Sequence, residues 1–113
     1  MDFKKQKPIY LQIADRLMEQ ILAGATVAGG RMASVRDVAA QMGVNPNTVM
    51  RSFEHLAQNG IISQQRGVGY FVNTDACNRI IALQRREFID EELPYIRQKM
   101  KLLGITPDEL MQA

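Results

Sequence analysis

Cysteine and histidine are scarce in this sequence, which has one of each, Cys77 and His55. A lone cysteine cannot form an internal disulfide, and one cysteine with one histidine cannot supply the four ligands of a structural zinc site. The sequence places no activating partner beside the thiol, so Cys77 is expected to be inert. We therefore expect no metal, no cofactor and no redox chemistry.

Long apolar runs are missing as well. No stretch reaches the ~18 to 20 apolar residues that a membrane-spanning helix requires. The opening residues, MDFKKQKPIY, lack the apolar segment of a secretory signal. The sequence therefore predicts a cytoplasmic protein with no membrane partner, and its 113 residues suit one domain with an appended helix or two.

Patterns typical of enzymes are absent too. No pair of carboxylates has the spacing of an acid–base site, and no phosphate-binding glycine loop leads from a strand into a helix. Gly67 and Gly69 lack the third glycine and the following helix that a dinucleotide site needs. We therefore expect a protein that is not an enzyme.

Charge is unevenly distributed along the chain, although the net charge is only +2. Residues 1–72 contain eight basic and five acidic side chains, whereas residues 73–113 contain six basic and seven acidic ones. The basic excess of the first part is compatible with a polyanionic partner. Alone it is a weak indication, because many proteins that bind nothing negative have a similar excess.

Helical periodicity begins in residues 8–23, where apolar side chains recur every four residues: Ile9, Ile13, Leu17 and Ile21. Pro8 suits an early helical position, and Gly24 suits a C-terminal cap. A glycine-containing loop follows. Ser34 then provides the N-cap of a second, shorter helix that ends at Gly43.

A third helix is predicted after a turn of only three residues. Asn45 is its N-cap, Pro46 its first residue, and Asn59 with Gly60 ends it. Helical spacing turns three apolar residues inward: Val49, Phe53 and Leu56. The opposite side presents polar residues, with Met50 at the margin: Asn47, Thr48, Arg51, Glu54, His55 and Gln58. Two such helices joined by a short turn containing glycine are typical of a helix-turn-helix, whose second helix enters the major groove of DNA.

Residues 61–72 change to a strand pattern. β-forming side chains flank a polar centre in which Gly67 and Gly69 permit positive φ, so a β-hairpin is predicted. The expected fold is mostly α with a small β-hairpin, a winged helix-turn-helix DNA-binding domain over residues 1–73. A short C-terminal helical region for dimerisation follows over residues 74–113, in which Pro94 is expected to split or kink the helix.

The C-terminal region has more apolar surface than a thin extension can bury by itself. A second subunit is the simplest cover, so we predict a homodimer. The residues expected at the dimer contact are Ile80, Ile81, Phe88, Leu93, Ile96, Met100 and Leu103.

The start of the third predicted helix is suited to DNA. Its free backbone donors lie beside Asn45, Asn47 and Thr48, an arrangement that binds phosphate. Asn47 or Arg51 could read base edges, because asparagine pairs with adenine and arginine with guanine. The structural alternative is that Asn-Pro-Asn-Thr is simply an efficient helix start.

Two further arginines are candidates for the same interface. Arg36, in the first turn of the second helix, would stand near the same groove, and Arg66, at the hairpin, could enter an adjacent minor groove. The alternatives are that Arg36 pairs with Asp37 or Glu19 and that Gly67 with its neighbours is only a turn. What favours DNA is the order of the elements. A short capped helix, a three-residue turn, a helix that begins with proline and has a polar outer face, and a glycine-containing hairpin with an arginine occur consecutively.

These segments closely resemble the GntR family of bacterial transcription regulators, in particular its small YtrA-like branch. The resemblance is carried by PIYLQIADRLMEQILAG, SVRDVAAQMGVNPNTVMRSFEHLAQNGII and QQRGVGYFV, over about residues 8–73. It implies a winged-helix domain, a dimer formed through the tail helices, and binding to palindromic double-stranded DNA, usually as a repressor. By motif match the family's DNA-contacting positions fall on Tyr10, near a phosphate, and on Arg36, Asn45, Asn47, Thr48, Arg51, Arg66, Gly67 and Gly69.

The sequence departs from the family pattern at three places. Residues 32–34, Met-Ala-Ser, replace the usual Leu-Pro-Ser. Met50 stands where many relatives have a basic residue, which the YtrA-like branch places one position later, as Arg51 does here. Tyr70 replaces the usual threonine of the wing.

The remaining choice is between two kinds of binding protein. The predicted function is a sequence-specific DNA-binding transcriptional regulator, a repressor that binds a palindromic operator as a homodimer. The alternative is a winged helix that contacts other proteins without binding DNA. About 40 residues follow the DNA-binding region, too few for a separate effector domain. No deep effector site is expected within one subunit, and the sequence names no effector.

Overall fold

The computed structural model of the chain describes residues 7–113. These residues form two compact units, 7–82 and 83–113. The first contains α1 (Ile9–Leu22), α2 (Val35–Met42), α3 (Pro46–Gln58), β1 (Ile62–Gln65) and β2 (Gly69–Val72). The helix α4 (Ala76–Glu87) begins in the first unit and ends in the second, where a π-helical segment (Phe88–Glu92), α5 (Leu93–Leu103) and α6 (Pro107–Gln112) follow. The mostly helical fold with a small hairpin is confirmed.

The first helix ends as its sequence predicts. Gly24 adopts a φ of 82° directly after the C-cap residue. Its N–H donates to the Ile21 carbonyl at 3.0 Å, and the Ala25 N–H donates to the Gln20 carbonyl at 2.9 Å. These two bonds satisfy carbonyls that the helix end would otherwise leave open, the pattern of a Schellman motif.

Local capping also determines the pair α2 and α3. The Ser34 hydroxyl accepts the Asp37 N–H at 3.0 Å, which fixes the start of α2. Gly43 then takes the left-handed conformation, with φ 67° and ψ 39°, and lets the chain turn within three residues. Because Pro46 begins α3 immediately afterwards, the two helices form the predicted helix-turn-helix.

A third segment of the chain pairs with the hairpin, which the sequence did not predict. Its two strands pair antiparallel from Ile62 opposite Val72 to Gln65 opposite Gly69. Arg31, in the loop after α1, forms an additional antiparallel bridge with Phe71. The loop is thereby paired with β2, so β2 has β1 as one partner and the loop after α1 as another. The wing is therefore held by the loop as well as by its own turn.

Apolar side chains from every element of the first unit meet in one core. Phe53, Leu56 and Val49 of α3 are fully buried at its centre, as their spacing predicts. The other buried apolar residues are Ile13, Ala14, Leu17, Met18, Ile21, Met32, Val38, Ala39, Ile61, Ile62, Val72, Ala76 and Ile80. The first two turns of α4 therefore belong to the core, through Ala76 and Ile80.

The second unit has a different character, because no side chain in residues 83–113 is buried. Several large apolar residues there are mostly exposed, among them Leu103 at 62% and Met111 at 82%. Most of the apolar surface in this unit is therefore available to another molecule.

None of the helices within residues 7–113 combines the length and apolar character needed to cross a membrane.

Of the two outcomes predicted at Pro94, a split or a kink of the tail helix, the split does not occur. The chain remains helical through it, and the irregularity is the π-helical segment that directly precedes it. The Leu93 N–H donates to the Phe88 carbonyl, five residues back, which is the π-helical pattern. A regular α-helix would suffer at this point from the missing N–H and the bulk of the proline ring.

Candidate nucleic-acid interface

The entry to α3 combines a structural cap with exposed polar groups. The Asn45 side-chain Oδ1 accepts the Asn47 N–H at 2.8 Å, and the Asn45 carbonyl accepts the Thr48 N–H at 3.0 Å. The tetrapeptide therefore starts the helix as its sequence predicts. It leaves the Asn45 amide Nδ2 and the exposed Asn47 side chain available as donors at the positive end of the helix dipole.

Tyr10 and Arg51, two residues that the sequence singled out separately, are in contact. The Arg51 guanidinium carbon lies 4.0 Å from the centre of the Tyr10 ring. The same ring also meets His55 edge-on, with centroids 6.4 Å apart and an interplanar angle of 83°. A cation over an aromatic face at an exposed site gains about 0.5–1 kcal/mol. Arg51 is thus partly oriented by Tyr10, and His55 is half-buried against that ring rather than on an open polar face.

Ser52, which was not among the predicted site residues, joins the same two helices. It is fully buried, and its hydroxyl contacts the Tyr10 carbonyl at 2.6 Å and the Thr48 carbonyl at 3.2 Å. A small hydroxyl in an otherwise apolar helical stripe was the available signal. Because the hydroxyl reaches the main chain at Tyr10, it holds the first turn of α1 against α3, the turn from which the Tyr10 ring meets Arg51.

The tip of the wing is a three-residue turn, Arg66-Gly67-Val68. The Val68 N–H donates to the Gln65 carbonyl at 2.9 Å, and Gly67 has a φ of 77°. Both flanking side chains, Arg66 and Val68, are exposed. The glycine is required here because other residues rarely adopt this conformation. The predicted hairpin is therefore present, with Arg66 at its tip.

Arg31 adds a second cation to the wing. Its guanidinium Nη2 donates to the Val68 carbonyl in the turn. A Cβ atom at Gly69 would lie 3.2 Å from the Arg31 Nε, and Gly69 has a φ of 141°. The Arg31 side chain therefore passes close to β2 at Gly69, where the Cβ atom of any other residue would crowd it. Sequence reasoning missed Arg31 because it lies 37 residues from Val68, in a segment that reads only as a loop.

Among residues 7–113, no acidic side chain forms an ion pair with the arginines of this region. Arg36 is exposed in the first turn of α2, and neither Asp37 nor Glu19 forms an ion pair with it. Within residues 7–113 the ion pairs are Lys7 with Asp15 and Arg79 with Asp75. Neither of these pairs includes an exposed arginine of the candidate interface, so within residues 7–113 the charges of four arginines remain available to a partner: Arg31, Arg36, Arg51 and Arg66.

The side chains expected at the dimer contact fall into three groups. Ile80 is fully buried in its own subunit, so it has no surface left for a partner. Ile81, Phe88 and Leu103 are exposed at 48%, 43% and 62%. Leu93, Ile96 and Met100 are half-buried along one side of α5.

Other reactive residues form no recognisable site. Cys77 is a free, exposed cysteine in the first turn of α4. In the part of the chain that the structure describes, no three His, Cys, Asp or Glu side chains are grouped so that they could hold a metal ion.

Comparison with known proteins agrees with this geometry. Residues 9–72, which include α1, the helix-turn-helix and the wing, match the gntR family of bacterial regulatory proteins. The HTH-type transcriptional regulator YhcF of Bacillus subtilis is 34% identical over 110 residues, which cover 97% of this chain and 89% of YhcF. The HTH-type transcriptional repressor YtrA of the same organism is 30% identical over 105 residues, covering 93% of this chain and 75% of YtrA.

The similarity extends to solved structures. A transcriptional regulator of the GntR family from Bacteroides thetaiotaomicron has a TM-score of 0.80 with this chain at 40% sequence identity. The match covers 93% of this chain and 91% of that one, so it includes the C-terminal helical region.

Proposed function

The chain belongs to the GntR family of bacterial regulatory proteins, and on that premise we propose that it represses transcription by binding a palindromic operator as a homodimer. It is a DNA-binding transcription regulator of the winged-helix type. The observation that carries the proposed mode of binding is the Arg51 side chain, exposed on α3 and held 4.0 Å over the Tyr10 ring.

In this proposal α3 lies in the major groove. Asn47 and Arg51 face base edges, since their side chains can make bidentate pairs with adenine and guanine. Asn45 and Thr48, at the helix start, face the phosphates with the free backbone donors of the first turn. Tyr10 supports Arg51 and also lies close to the backbone of the DNA.

The remaining cations contact the phosphate backbone and the minor groove. Arg36 approaches the backbone from the start of α2. Arg66 enters the minor groove from the wing tip, where Gly67 and Gly69 keep the turn narrow. Arg31 supports that turn through Val68 and supplies a second positive charge beside it. Such cations supply affinity with little sequence preference.

Dimerisation is assigned to the C-terminal region. We divide the chain into a DNA-binding domain over residues 1–73 and a dimerisation tail over 74–113. Support comes from the second unit, whose apolar residues are unburied within one subunit. A second subunit related by a two-fold axis would cover that surface, and the dimer would present two copies of α3 to one face of the duplex. The proposed contact residues are Ile81, Phe88, Leu93, Ile96, Met100 and Leu103, with Ile80 left to the core.

Replacing Arg51 with alanine tests the base-reading role. We expect operator binding to weaken by about 1–3 kcal/mol per subunit, because each subunit loses a bidentate contact with a base. Discrimination at the base pair concerned should fall with it. The measurement is fluorescence anisotropy with an operator obtained by selection and with duplexes altered at single base pairs.

The matched control is Arg16→Ala, which removes the same charge from an exposed position further along α1. It should leave base discrimination unchanged. Arg51→Lys retains the charge and should recover affinity for any duplex without recovering discrimination. Equal discrimination by the Arg51→Ala variant and the unaltered protein would mean that Arg51 does not read a base.

Replacing Arg31 with alanine tests the wing. We expect weaker binding to all duplexes by a similar factor, because the residue contacts phosphate and not bases. The slope of log affinity against log salt should become shallower by about 1 per subunit. Titrations at four or more salt concentrations measure this slope. An unchanged slope would show that Arg31 makes no contact with the DNA.

A further inference from the structure

Two of the positions at which this sequence departs from its family are in contact with each other. Met50 lies on α3 and Tyr70 on β2, twenty residues later. The Tyr70 hydroxyl donates to the Met50 sulfur, with an oxygen–sulfur distance of 3.7 Å. Met50 remains 39% exposed. The contact therefore leaves part of the methionine side chain on the surface of α3.

The environment of Met50 is otherwise polar. Its exposed neighbours on the same face of α3 are Asn47, Arg51 and Glu54. Met50 is not part of the buried core, to which α3 contributes Val49, Phe53 and Leu56. An apolar group among base-reading residues instead offers a dry contact to whatever occupies the groove.

Tyr70 is itself well anchored. Its ring packs edge-on against the buried Phe53, with centroids 4.9 Å apart and an interplanar angle of 85°. The Tyr70 main chain is also tied to the loop after α1, since its carbonyl accepts the Met32 N–H at 2.8 Å. The hydroxyl therefore reaches Met50 from a ring fixed by the core, and it restrains a side chain that has three rotatable bonds.

We propose that Met50 is a specificity-determining residue that contacts the C5 methyl group of a thymine, and that Tyr70 is the positioning residue that holds it there. The inference rests on the proposed function, in which α3 enters the major groove. Thymine is the base that presents a methyl group in that groove, and apolar side chains recognise it. The polarisable thioether suits such a contact, and the Tyr70 hydroxyl limits the freedom that a flexible methionine would lose on binding.

Deoxyuridine tests this assignment directly, because it differs from thymidine only by the C5 methyl group. The operator is first obtained by selection, and each thymine of the half-sites is then replaced by uracil in turn. At one thymine per half-site we expect affinity to fall by about fourfold, the value of one buried methyl group, and by about 15-fold when both half-sites are changed. The Met50→Ala variant should bind the thymine and uracil duplexes equally.

Two further variants separate contact from positioning. Tyr70→Phe keeps the ring against Phe53 and removes only the hydroxyl, so it should fold normally and show a smaller thymine-to-uracil ratio. Met50→Leu keeps an apolar group and should retain part of the ratio. Thermal unfolding of each variant confirms that the fold is intact.

The outcomes distinguish this inference from the proposed function. If the unaltered protein binds the operator but Met50→Ala leaves every thymine-to-uracil ratio unchanged, the assignment of Met50 is wrong and the regulator remains. If Tyr70→Phe keeps the full ratio, the positioning role of Tyr70 is wrong. If no duplex is bound by the unaltered protein, the proposed function itself fails.

Discussion

The double variant Ile96→Glu, Leu103→Glu should be a monomer and should bind its operator at least about 100-fold more weakly than the unaltered protein. Both residues lie along one side of α5, and neither is buried within its own subunit. Their replacement therefore spares the core of the DNA-binding unit and places charges in the proposed dimer contact. Linked binding sites gain about 10²–10⁴ in affinity, and separated subunits lose that gain.

The matched control is Gln98→Glu with Lys101→Gln, which makes the same change in net charge on the opposite side of α5. It should remain dimeric and should bind normally. Sedimentation equilibrium gives the subunit number, and anisotropy titration gives the affinity. A glutamate double variant that stays dimeric, or a monomer that binds as tightly as the unaltered protein, would contradict the assignment of the tail.

Raising the salt concentration from 50 to 200 mM should weaken operator binding by about 10³-fold or more. In the proposed complex each subunit brings three exposed arginines to the backbone or into the minor groove, where each neutralises about one phosphate charge: Arg31, Arg36 and Arg66. A dimer would then neutralise about six phosphates, for which the expected loss over this range of salt is about 10³. The slope of log affinity against log salt should be about −5.

This result also separates DNA binding from the use of a winged helix for protein contacts. Weak duplex binding that hardly changes with salt would favour protein contact. The double variant Arg36→Ala, Arg66→Ala provides an internal check, because it should lower the steepness of the slope by about four for the dimer. The Arg16→Ala variant should leave it unchanged.

Local features of the DNA-binding unit were predictable from the sequence because short-range chemistry determines them. Ser34 and Asn45 cap the helices that they precede, and Gly43 provides the left-handed residue between them. Gly67 permits the turn of the wing in the same way. Each of these depends on a few neighbouring residues, so spacing and residue type suffice.

Contacts between distant segments were not predictable from the same patterns. Arg51 over Tyr10 and Arg31 at Val68 join residues that are far apart in the chain. Their juxtaposition depends on how α1 packs against α3 and on which strand the loop pairs with. The sequence identified Arg51 and Tyr10 individually, whereas the structure supplies the reason that they act together.

The tail shows a further limit of periodicity. The apolar stripe of α5 was correctly recognised as helical, but the pattern could not say which residues one subunit buries by itself. Ile80 is fully buried in the core, whereas Leu103 is 62% exposed. Pro94 marked the place of an irregularity but not its form, because both a kink and a π-helical turn accommodate a proline.

Selection of bound sequences from a random pool of duplexes tests the central claim most directly, since it reports recognition and symmetry together. If two tail-linked subunits each insert α3 into the major groove, the recovered duplexes will contain two inverted copies of one short sequence. The centres of these copies will lie about one helical turn apart, ~10 bp. Recovery of a single asymmetric sequence, or of no enriched sequence at low salt, would contradict the account.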